Sequence, residues 1–229
     1  MFDMRCILYV MIPGMIISGG ASLLVKAAFS RYSRVPSRRG FTGAQAAARL
    51  LQNAGIRDVQ IVPTSGYLSD HYNPQTKQLA LSEAVYGSNS LAAVGVACHE
   101  AGHAIQHATN YGPLSLRSAI VPAAGIGSSV GYIVMAVGLF VHPFVVGIGA
   151  VIFSAVLVFQ LVTLPVEFDA TARAKRLVVE AGIVDEDERY GIDRTLNAAA
   201  LTYVAAVITT LMTLLYYLIR SGLLGGSDD

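Results

Sequence analysis

The stretch SAIVPAAGIGSSVGYIVMAVGLFVHPFVVGIGAVIFSAVLVFQLVTLPV, residues 118–166, contains no charged residue. A bilayer core requires about 20 apolar residues per helix, so this stretch is long enough for two membrane spans. The dipeptide His142-Pro143 interrupts it near the middle, where the proline favours a tight turn. We therefore predict a transmembrane helical hairpin over 119–165, with one span on each side of this turn.

Two further stretches without charge each have room for one span. One lies between Arg5 and Lys26, and the other lies between Arg194 and Arg220. Each is close to the length that one membrane helix requires. The sequence therefore predicts an α-helical multi-pass membrane protein with four transmembrane helices, near 6–26, 119–140, 144–165 and 199–219.

The composition agrees with a membrane protein. Of the 229 residues, 54% are hydrophobic and only 14% are charged, and the mean hydropathy is +0.55. Soluble domains carry roughly a quarter charged residues, and disordered chains combine low hydrophobicity with high net charge, so neither class fits. The net charge of +1 provides no basic field, so we expect no nucleic-acid partner. Cys6 and Cys98 are too few for a disulfide framework.

Basic residues predict the orientation in the membrane. Five of them follow the first span, at Lys26, Arg31, Arg34, Arg38 and Arg39. The positive-inside rule places this flank in the cytoplasm. Residues 27–118 and the polar segment 166–198 then lie inside, whereas the amino terminus and the tail GGSDD lie outside. We interpret the first span as an uncleaved anchor, because its apolar run is longer than the core of a signal peptide. The predicted location is the cell membrane.

Residues 27–118 are predicted to form a small α/β domain between the first and second spans. Thr42 is a favourable N-cap for a helix that Gly55 ends. Turn-forming residues at 73–77 predict a hairpin of the last two of three strands. The predicted strands are VQIV at 59–62, YLS at 67–69 and QLALS at 78–82.

The next helix of this domain, 91–108, carries the pattern His99-Glu100-Ala101-Gly102-His103. Asn89 or Ser90 would cap it, and it is too short and too polar for a fifth span. Residues four apart share a helix face, so the two histidines can converge on one Zn²⁺. Glu100 does not share the helix face of the two histidines, so its carboxylate can instead take a proton from a zinc-bound water. A chance HExxH has an expectation of roughly 0.003 in this composition, so we prefer this interpretation to two core histidines.

Glu167 is the predicted third metal ligand. A catalytic zinc keeps three protein ligands and one open position. Glu167 is the first charged residue after the stretch 118–166, and two membrane crossings place it on the same face as the HExxH helix. Asp169 is the second candidate. The alternative is that both acidic residues only end a membrane helix in water.

The remaining histidines fit the metal site less well. His107 lies eight residues beyond His99, about 12 Å along a helix, which is too far for both to bind one ion. The glycine turn that precedes the third histidine in the longer metzincin pattern is also missing before His107. We therefore expect His107 on the surface or in contact with a metal ligand. His71 is expected to contact substrate rather than metal, and His142 lies in the outer turn.

Six blocks of this sequence resemble the YugP-like membrane family of neutral zinc metallopeptidases: RYSRVP (31–36), GFTGAQAA (40–47), DHYNPQTKQLALSE (70–83), HEAGHAIQHA (99–108), PLSLRSAIVP (113–122) and LPVEFDATARA (164–174). This family is similar to membrane-anchored gluzincins such as the CAAX-prenyl endopeptidase and HtpX-like groups. In their E-x-x-A-D pattern the glutamate is the third zinc ligand. The resemblance therefore implies a zincin-like domain with Glu167 as the third ligand. Thr171 replaces the aspartate here, and Asp169 is expected to orient a histidine in its place.

These features predict a zinc metallopeptidase of the membrane with Glu100 as its general base. Its substrate would be a peptide or protein, membrane proteins included, and the strand at 78–82 would hold an extended peptide at its edge. An intramembrane protease is less favoured because the motif lies in a polar segment. A transporter is less favoured because no span carries an ionisable residue. A zinc-binding membrane scaffold or regulator without hydrolytic activity stays open, and it would not require Glu100.

The sequence leaves the oligomeric state open. The run AAGIGSSVG at 123–131 consists mainly of small residues. Small residues permit close helix packing in membranes, either within one chain or between chains.

Overall fold

The computed structural model describes residues 4–224 and is mostly helical. In chain order its elements are α1 (Met4–Tyr32), α2 (Gly43–Asn53), β1 (Gln60–Thr64), β2 (His71–Asn73), β3 (Gln78–Ser82), α3 (Glu83–Tyr86), α4 (Leu91–Ala108), α5 (Gly112–Val141), α6 (Pro143–Glu180) and α7 (Arg189–Arg220). Within the described range, α1, α5, α6 and α7 are the four helices long and apolar enough to cross a membrane. They coincide with the four predicted spans. The tail GGSDD, predicted to lie outside the cell, is beyond the described residues.

Two of these helices extend well past their predicted spans. α6 continues from the span at 144–165 to Glu180, and α7 begins at Arg189, before the span at 199–219. The polar segment 166–198 is therefore largely helical. Its alanine, arginine, lysine and leucine residues are strong helix formers, so the helices continue where the apolar composition ends.

The chain forms two compact units. The apolar unit comprises the described residues of 1–21, 115–164 and 202–229. The site unit comprises residues 22–114 and 165–201. The site unit contains the three strands and the HExxH helix.

The turn predicted at His142-Pro143 is confirmed. α5 ends at Val141, His142 has an extended backbone, and α6 begins at Pro143. A proline suits the first position of a helix because its missing N–H would have no partner there. The Nδ1 atom of His142 accepts the backbone N–H of Phe144 at 3.1 Å, which satisfies one free donor of the new helix.

Small residues bring the backbone of α5 against α6 inside the apolar unit. A Cβ at Gly127 would lie 2.7 Å from the carbonyl oxygen of Ile152. One at Gly131 would lie 2.6 Å from the backbone nitrogen of Phe153. Neither position has room for a side chain, so these two glycines of the run at 123–131 pack within the chain.

Many large apolar side chains of the apolar unit face outward. Phe140 and Val151 are 81% and 74% exposed, whereas the buried cluster around Met135 and Tyr217 is small. Contiguous apolar surface of this kind marks contact with lipid or with another protein. It is the distribution expected of helices that lie in a bilayer.

The sheet of the site unit has the strand order β1-β3-β2, with β3 parallel to β1 and antiparallel to β2. β3 is therefore the central strand, and the expectation that residues 78–82 offer an edge to a substrate is wrong. The reason lies in burial, because the side chains from Leu79 to Ser82 are all buried. Both neighbours are needed to satisfy the backbone of such a strand.

The predicted strand at 67–69 is also wrong. Gly66 and Leu68 have φ angles of 107° and 54°, which no strand adopts. The chain turns there, and the strand follows at 71–73. The hairpin with β3 is confirmed, but with this shorter partner.

α2 has the caps that its sequence predicts, and it begins in contact with α3. Thr42 and Gln45 form a capping box, and Gly55 adopts a φ of 74° just after the helix, as its predicted role requires. A Cβ at Gly43 would lie 2.3 Å from the carbonyl oxygen of Val85, so α2 begins in direct contact with α3. The inward face of α2 closes the core with Leu50 and Leu51.

Candidate metal centre

α4 is the central helix of the site unit and carries the HExxH side chains. The Ser90 hydroxyl oxygen accepts the backbone N–H of Ala93 at 3.3 Å, so Ser90 rather than Asn89 is the N-cap. Most residues from Leu91 to Gln106 are buried in the core of the unit. A helix that is buried on nearly all sides is a core helix, as predicted.

His99, His103 and Glu167 come together. The Nε2 atom of His99 lies 3.2 Å from Oε2 of Glu167, and the Nε2 atom of His103 lies 3.5 Å from the same oxygen. Within residues 4–224 these three form a group that could hold a metal ion, with all candidate ligand atoms within 4.8 Å of one another.

These distances fit a tetrahedral zinc site. Two ligands at 2.0–2.1 Å from zinc are about 3.3 Å apart at a tetrahedral angle. The two separations of 3.2 and 3.5 Å bracket this value. Two imidazole nitrogens and one carboxylate oxygen are also a donor set that zinc prefers.

Gly102, inside the motif, allows α4 to approach α6. A Cβ at this position would lie 2.9 Å from the carbonyl oxygen of Ala170 and 3.3 Å from its Cα. Ala170 is itself fully buried and lies one turn beyond Glu167 on α6. The glycine therefore permits the close helix contact that brings Glu167 to the two histidines.

The Nδ1 atom of His103 is held by a buried amide. It lies 2.9 Å from Oε1 of Gln106, which is fully buried. The Nε2 atom of Gln106 donates to the carbonyl oxygen of Val166 and to the Asp169 carboxylate, both at 2.8 Å. Since both amide N–H groups are used, Oε1 must accept a proton from Nδ1. A neutral His103 then has its lone pair on Nε2, the atom that faces Glu167.

Asp169 does not take the position expected of it. The Nδ1 atom of His99 lies 3.2 Å from the hydroxyl oxygen of Thr171, so Thr171 itself stands where the related families have an aspartate. Asp169 instead accepts from Gln106 at 2.8 Å and from Nε of Arg173 at 2.6 Å. It therefore supports His103 through Gln106 and contacts neither histidine directly.

Burial and neighbouring charges shift the pKa of His103 in opposite directions. Burial lowers its pKa, but the hydrogen bond to Glu167 and the negative charges of Glu100 and Glu167 raise it. The net result is a raised pKa. The surroundings thus favour a positive charge at this position, which a bound metal cation would supply.

Glu100 and Cys98 flank His99 but do not belong to the ligand group. Glu100 is 9% exposed, and its charge acts on His103. It is therefore near the site without sharing the ligand position. Burial raises the pKa of the Cys98 thiol to about 12, so this neighbour offers no thiolate at neutral pH.

The other three histidines lie outside the candidate metal centre and have other contacts. Nδ1 of His107 lies 2.8 Å from the Tyr72 hydroxyl, and Nδ1 of His71 lies 2.8 Å from the carbonyl oxygen of Ser69. His142 belongs to the turn between α5 and α6. None of the three is part of the metal-ligand group found among the described residues.

Sequence reasoning missed Gln106 and the contact of Thr171. A signal for Gln106 was present, because it lies three residues after His103 and therefore on the same face of α4. A polar residue on the buried face of a helix needs a hydrogen-bonding partner. The partner itself lies on a distant part of the chain and leaves no local trace.

The fold and the site define a class of helical proteins that combine membrane-capable helices with a His-His-Glu group that could hold a metal ion. A family model described as "Putative neutral zinc metallopeptidase" matches residues 7–222. The chain belongs to this family.

Among curated proteins, the chain is similar to one from Bacillus subtilis (strain 168) named "Putative membrane protease YugP". The two are 40% identical over 223 residues, which is 97% of this chain and 98% of the relative. No solved structure matches the chain significantly. The resemblance noted in the sequence is confirmed at the level of the family.

Proposed function

We propose that the protein is a membrane-embedded zinc metallopeptidase that hydrolyses peptide bonds. His99, His103 and Glu167 are the proposed ligands of the zinc ion, and Glu100 is the proposed general base. The observation that carries the proposal is the approach of two imidazole nitrogens to one carboxylate oxygen of Glu167. Membership of a family described as zinc metallopeptidases supports it.

When bound, zinc would polarise the scissile carbonyl and make a water more acidic. Glu100 accepts a proton from the attacking water as its oxygen bonds to the carbonyl carbon. Glu100 then passes this proton to the leaving amine as the carbon–nitrogen bond breaks. Gln106 and Thr171 keep the two imidazole rings oriented, because each contacts a Nδ1 atom.

The proposed substrates are peptides or proteins, membrane proteins included, and the proposed position of the site is the cytoplasmic side of the cell membrane. The basic residues after the first span and those between 166 and 198 support this orientation. The exposed apolar surface of the apolar unit supports membrane embedding.

The decisive variant is Glu100→Gln in the full chain, purified in detergent and loaded with zinc. Cleavage of an unstructured protein such as casein should fall by about 10²–10⁴-fold, because general-base catalysis contributes that much. Zinc content should stay at the wild-type value, since Glu100 lies outside the ligand group. Glu83→Gln makes the same substitution at an exposed position and should leave both quantities unchanged.

Undiminished cleavage by Glu100→Gln would overturn the role of this residue. A wild type that holds zinc but cleaves neither casein nor a mixed peptide library would favour the scaffold or regulator alternative. A wild type that binds no zinc after metal reconstitution would remove the chemical basis of the proposal.

A further inference from the structure

The site unit contains a second concave region, formed by α1 and α7 and separate from the metal-ligand group. We call it the interfacial groove. It has a volume of about 770 Å³. One end is lined by Leu24, Ala28 and Leu201, and the other end by Arg31, Tyr190 and Arg194. The groove thus has an apolar end and a basic, aromatic end.

The two arginines of the groove have no acidic partner within residues 4–224. The Arg31 guanidinium lies 5.6 Å from the ring centre of Tyr32. The Arg194 guanidinium lies 5.0 Å from that of Tyr190, and its Nε donates to the Tyr190 hydroxyl at 2.9 Å. These contacts fix the orientation of the two guanidinium groups. The terminal nitrogens of each guanidinium still have N–H donors for a ligand.

Two other surface arginines of the same unit are paired with acidic residues. Arg38 pairs with Asp187 at 2.6 Å, and Arg39 pairs with Asp185 at 2.8 Å. The acidic residue that lines the groove, Asp193, is 3.6 Å from Arg189 and 4.0 Å from Lys175. Its charge is therefore already balanced by other cations, and the groove keeps a net positive charge.

The arginines also lie at the depth of a lipid headgroup. Arg31 is five residues past the predicted end of the first span (31 − 26), and Arg194 is five residues before the predicted start of the last span (199 − 194). At 1.5 Å per residue, each lies about 7.5 Å beyond the hydrocarbon boundary. The headgroup layer extends about 5–8 Å beyond that boundary on each side. Leu24 and Leu201, at the apolar end of the groove, fall inside the predicted spans.

We propose that the interfacial groove binds an anionic phospholipid. Arg31 and Arg194 contact its headgroup phosphate, and its acyl chains follow the apolar end past Leu24, Ala28 and Leu201. Basic pockets between membrane helices on the cytoplasmic side are suited to acidic headgroups. The bound lipid would bridge α1 and α7. This inference rests on the proposed membrane placement, and it does not depend on peptidase activity.

The test uses the full chain, delipidated in a neutral detergent. Short-chain phosphatidylglycerol is titrated, and lipid occupancy is read by native mass spectrometry together with the thermal midpoint. We expect saturable binding that weakens at least about tenfold in the double variant Arg31→Gln/Arg194→Gln, because each charge-assisted contact is worth roughly 1.5–3 kcal/mol and 1.4 kcal/mol is tenfold. Arg49→Gln/Arg57→Gln removes the same charge from exposed positions of the same unit and should bind like the wild type.

Three results would overturn the inference. Equal binding of phosphatidylcholine would remove the requirement for an anionic lipid. An equal thermal shift with inorganic phosphate would make the ligand a free anion. Equal losses in the two double variants would move the effect from the groove to general surface charge. Ala28→Phe, which fills the apolar end, should also weaken lipid binding while the zinc content stays at the wild-type value.

Membrane fractionation and zinc content are measured on the same samples. Wild type that is recovered in membranes with zinc but binds no phosphatidylglycerol overturns this inference alone. Lipid binding by a chain without peptidase activity overturns only the proposed reaction.

Discussion

The apolar unit and the site unit differ in where their large apolar side chains lie. In the site unit Leu79 and Leu81 are fully buried. In the apolar unit Phe140 and Val151 are among the most exposed side chains, and close contacts run through glycines such as Gly131. Burial of apolar area stabilises a protein in water, whereas in lipid it brings little and close backbone packing matters more. The site unit thus has the packing typical of a protein in water, and the apolar unit has the packing typical of helices in lipid.

The group that could hold a metal ion, formed by His99, His103 and Glu167, lies entirely in the site unit. Glu167 is the first charged residue of α6 after its long apolar part, and it is held by groups of α4. A metal centre requires oriented polar partners such as Gln106, and these cost free energy wherever hydrogen bonds are left unsatisfied. The following variants test this division between the units, from the largest expected effect to the smallest.

Glu167→Ala should have the largest effect. Loss of the proposed third ligand should weaken zinc binding more than about 100-fold, since loss of a supporting partner already costs 10–100-fold. Elemental analysis of detergent-purified protein should give one zinc per chain in the wild type and little in the variant. Asp169→Ala is the matched acidic substitution and should retain more zinc. Zinc retained at the wild-type value in Glu167→Ala would contradict the proposed role of Glu167 as a ligand.

A pair of alanine substitutions compares packing in the two units directly. Leu79→Ala should lower the free energy of unfolding by about 2–5 kcal/mol, because it opens a cavity in the core of the site unit. Val151→Ala, at a position 74% exposed, should change it by no more than about 0.5 kcal/mol. Thermal unfolding in detergent measures both. Equal losses would contradict the contrast between a buried core and an outward apolar surface.

Gly102→Ala tests the close contact of α4 with α6. The new Cβ would meet the carbonyl oxygen of Ala170 at 2.9 Å, so the helices must move apart. Overpacking of this kind costs about 1–3 kcal/mol, and zinc affinity should fall with it. Gly112→Ala is the control, because a Cβ there has no neighbour within 4 Å. An unchanged zinc affinity in Gly102→Ala would show that the site tolerates a wider helix separation.

Gln106→Ala should weaken zinc binding less than Glu167→Ala. Removal of the amide leaves Nδ1 of His103 without its acceptor, and zinc affinity should fall about 10–100-fold. Substitution by cobalt provides a spectroscopic readout, because its visible absorption depends on ligand geometry and should change in this variant. Gln52→Ala, at an exposed position, should change neither quantity. A wild-type cobalt spectrum in Gln106→Ala would exclude the positioning role.

Several features of the site could be predicted from sequence because their signals are local. The HExxH spacing places two histidines on one helix face whatever surrounds it. The position of Glu167 beside them could be predicted because it is the first charged residue after the long stretch 118–166. The direction of Asp169 could not be predicted, since an exposed and a buried carboxylate on α6 look alike until Gln106 and Arg173 are in place.

The sheet shows the same limit. The strand at 78–82 was predicted correctly from its apolar residues, but its central position was not. Its place depends on the parallel contact with β1 and the antiparallel contact with β2, each made by a separate part of the chain. The prediction of a strand at 67–69 is wrong because Leu68 has a positive φ, which a leucine adopts only under the influence of its surroundings.

The sequence by itself determined the four membrane-capable helices, the turn at His142-Pro143 and the pair of histidines on α4. Composition and spacing along the chain suffice for these, because a hydrophobic run and a helical repeat act over one or two dozen residues. Only the tertiary structure decided the strand order, the approach of α6 at Gly102 and the hydrogen bonds of Gln106. These depend on which surfaces meet across long separations in the chain, and packing and hydrogen-bond geometry select them together.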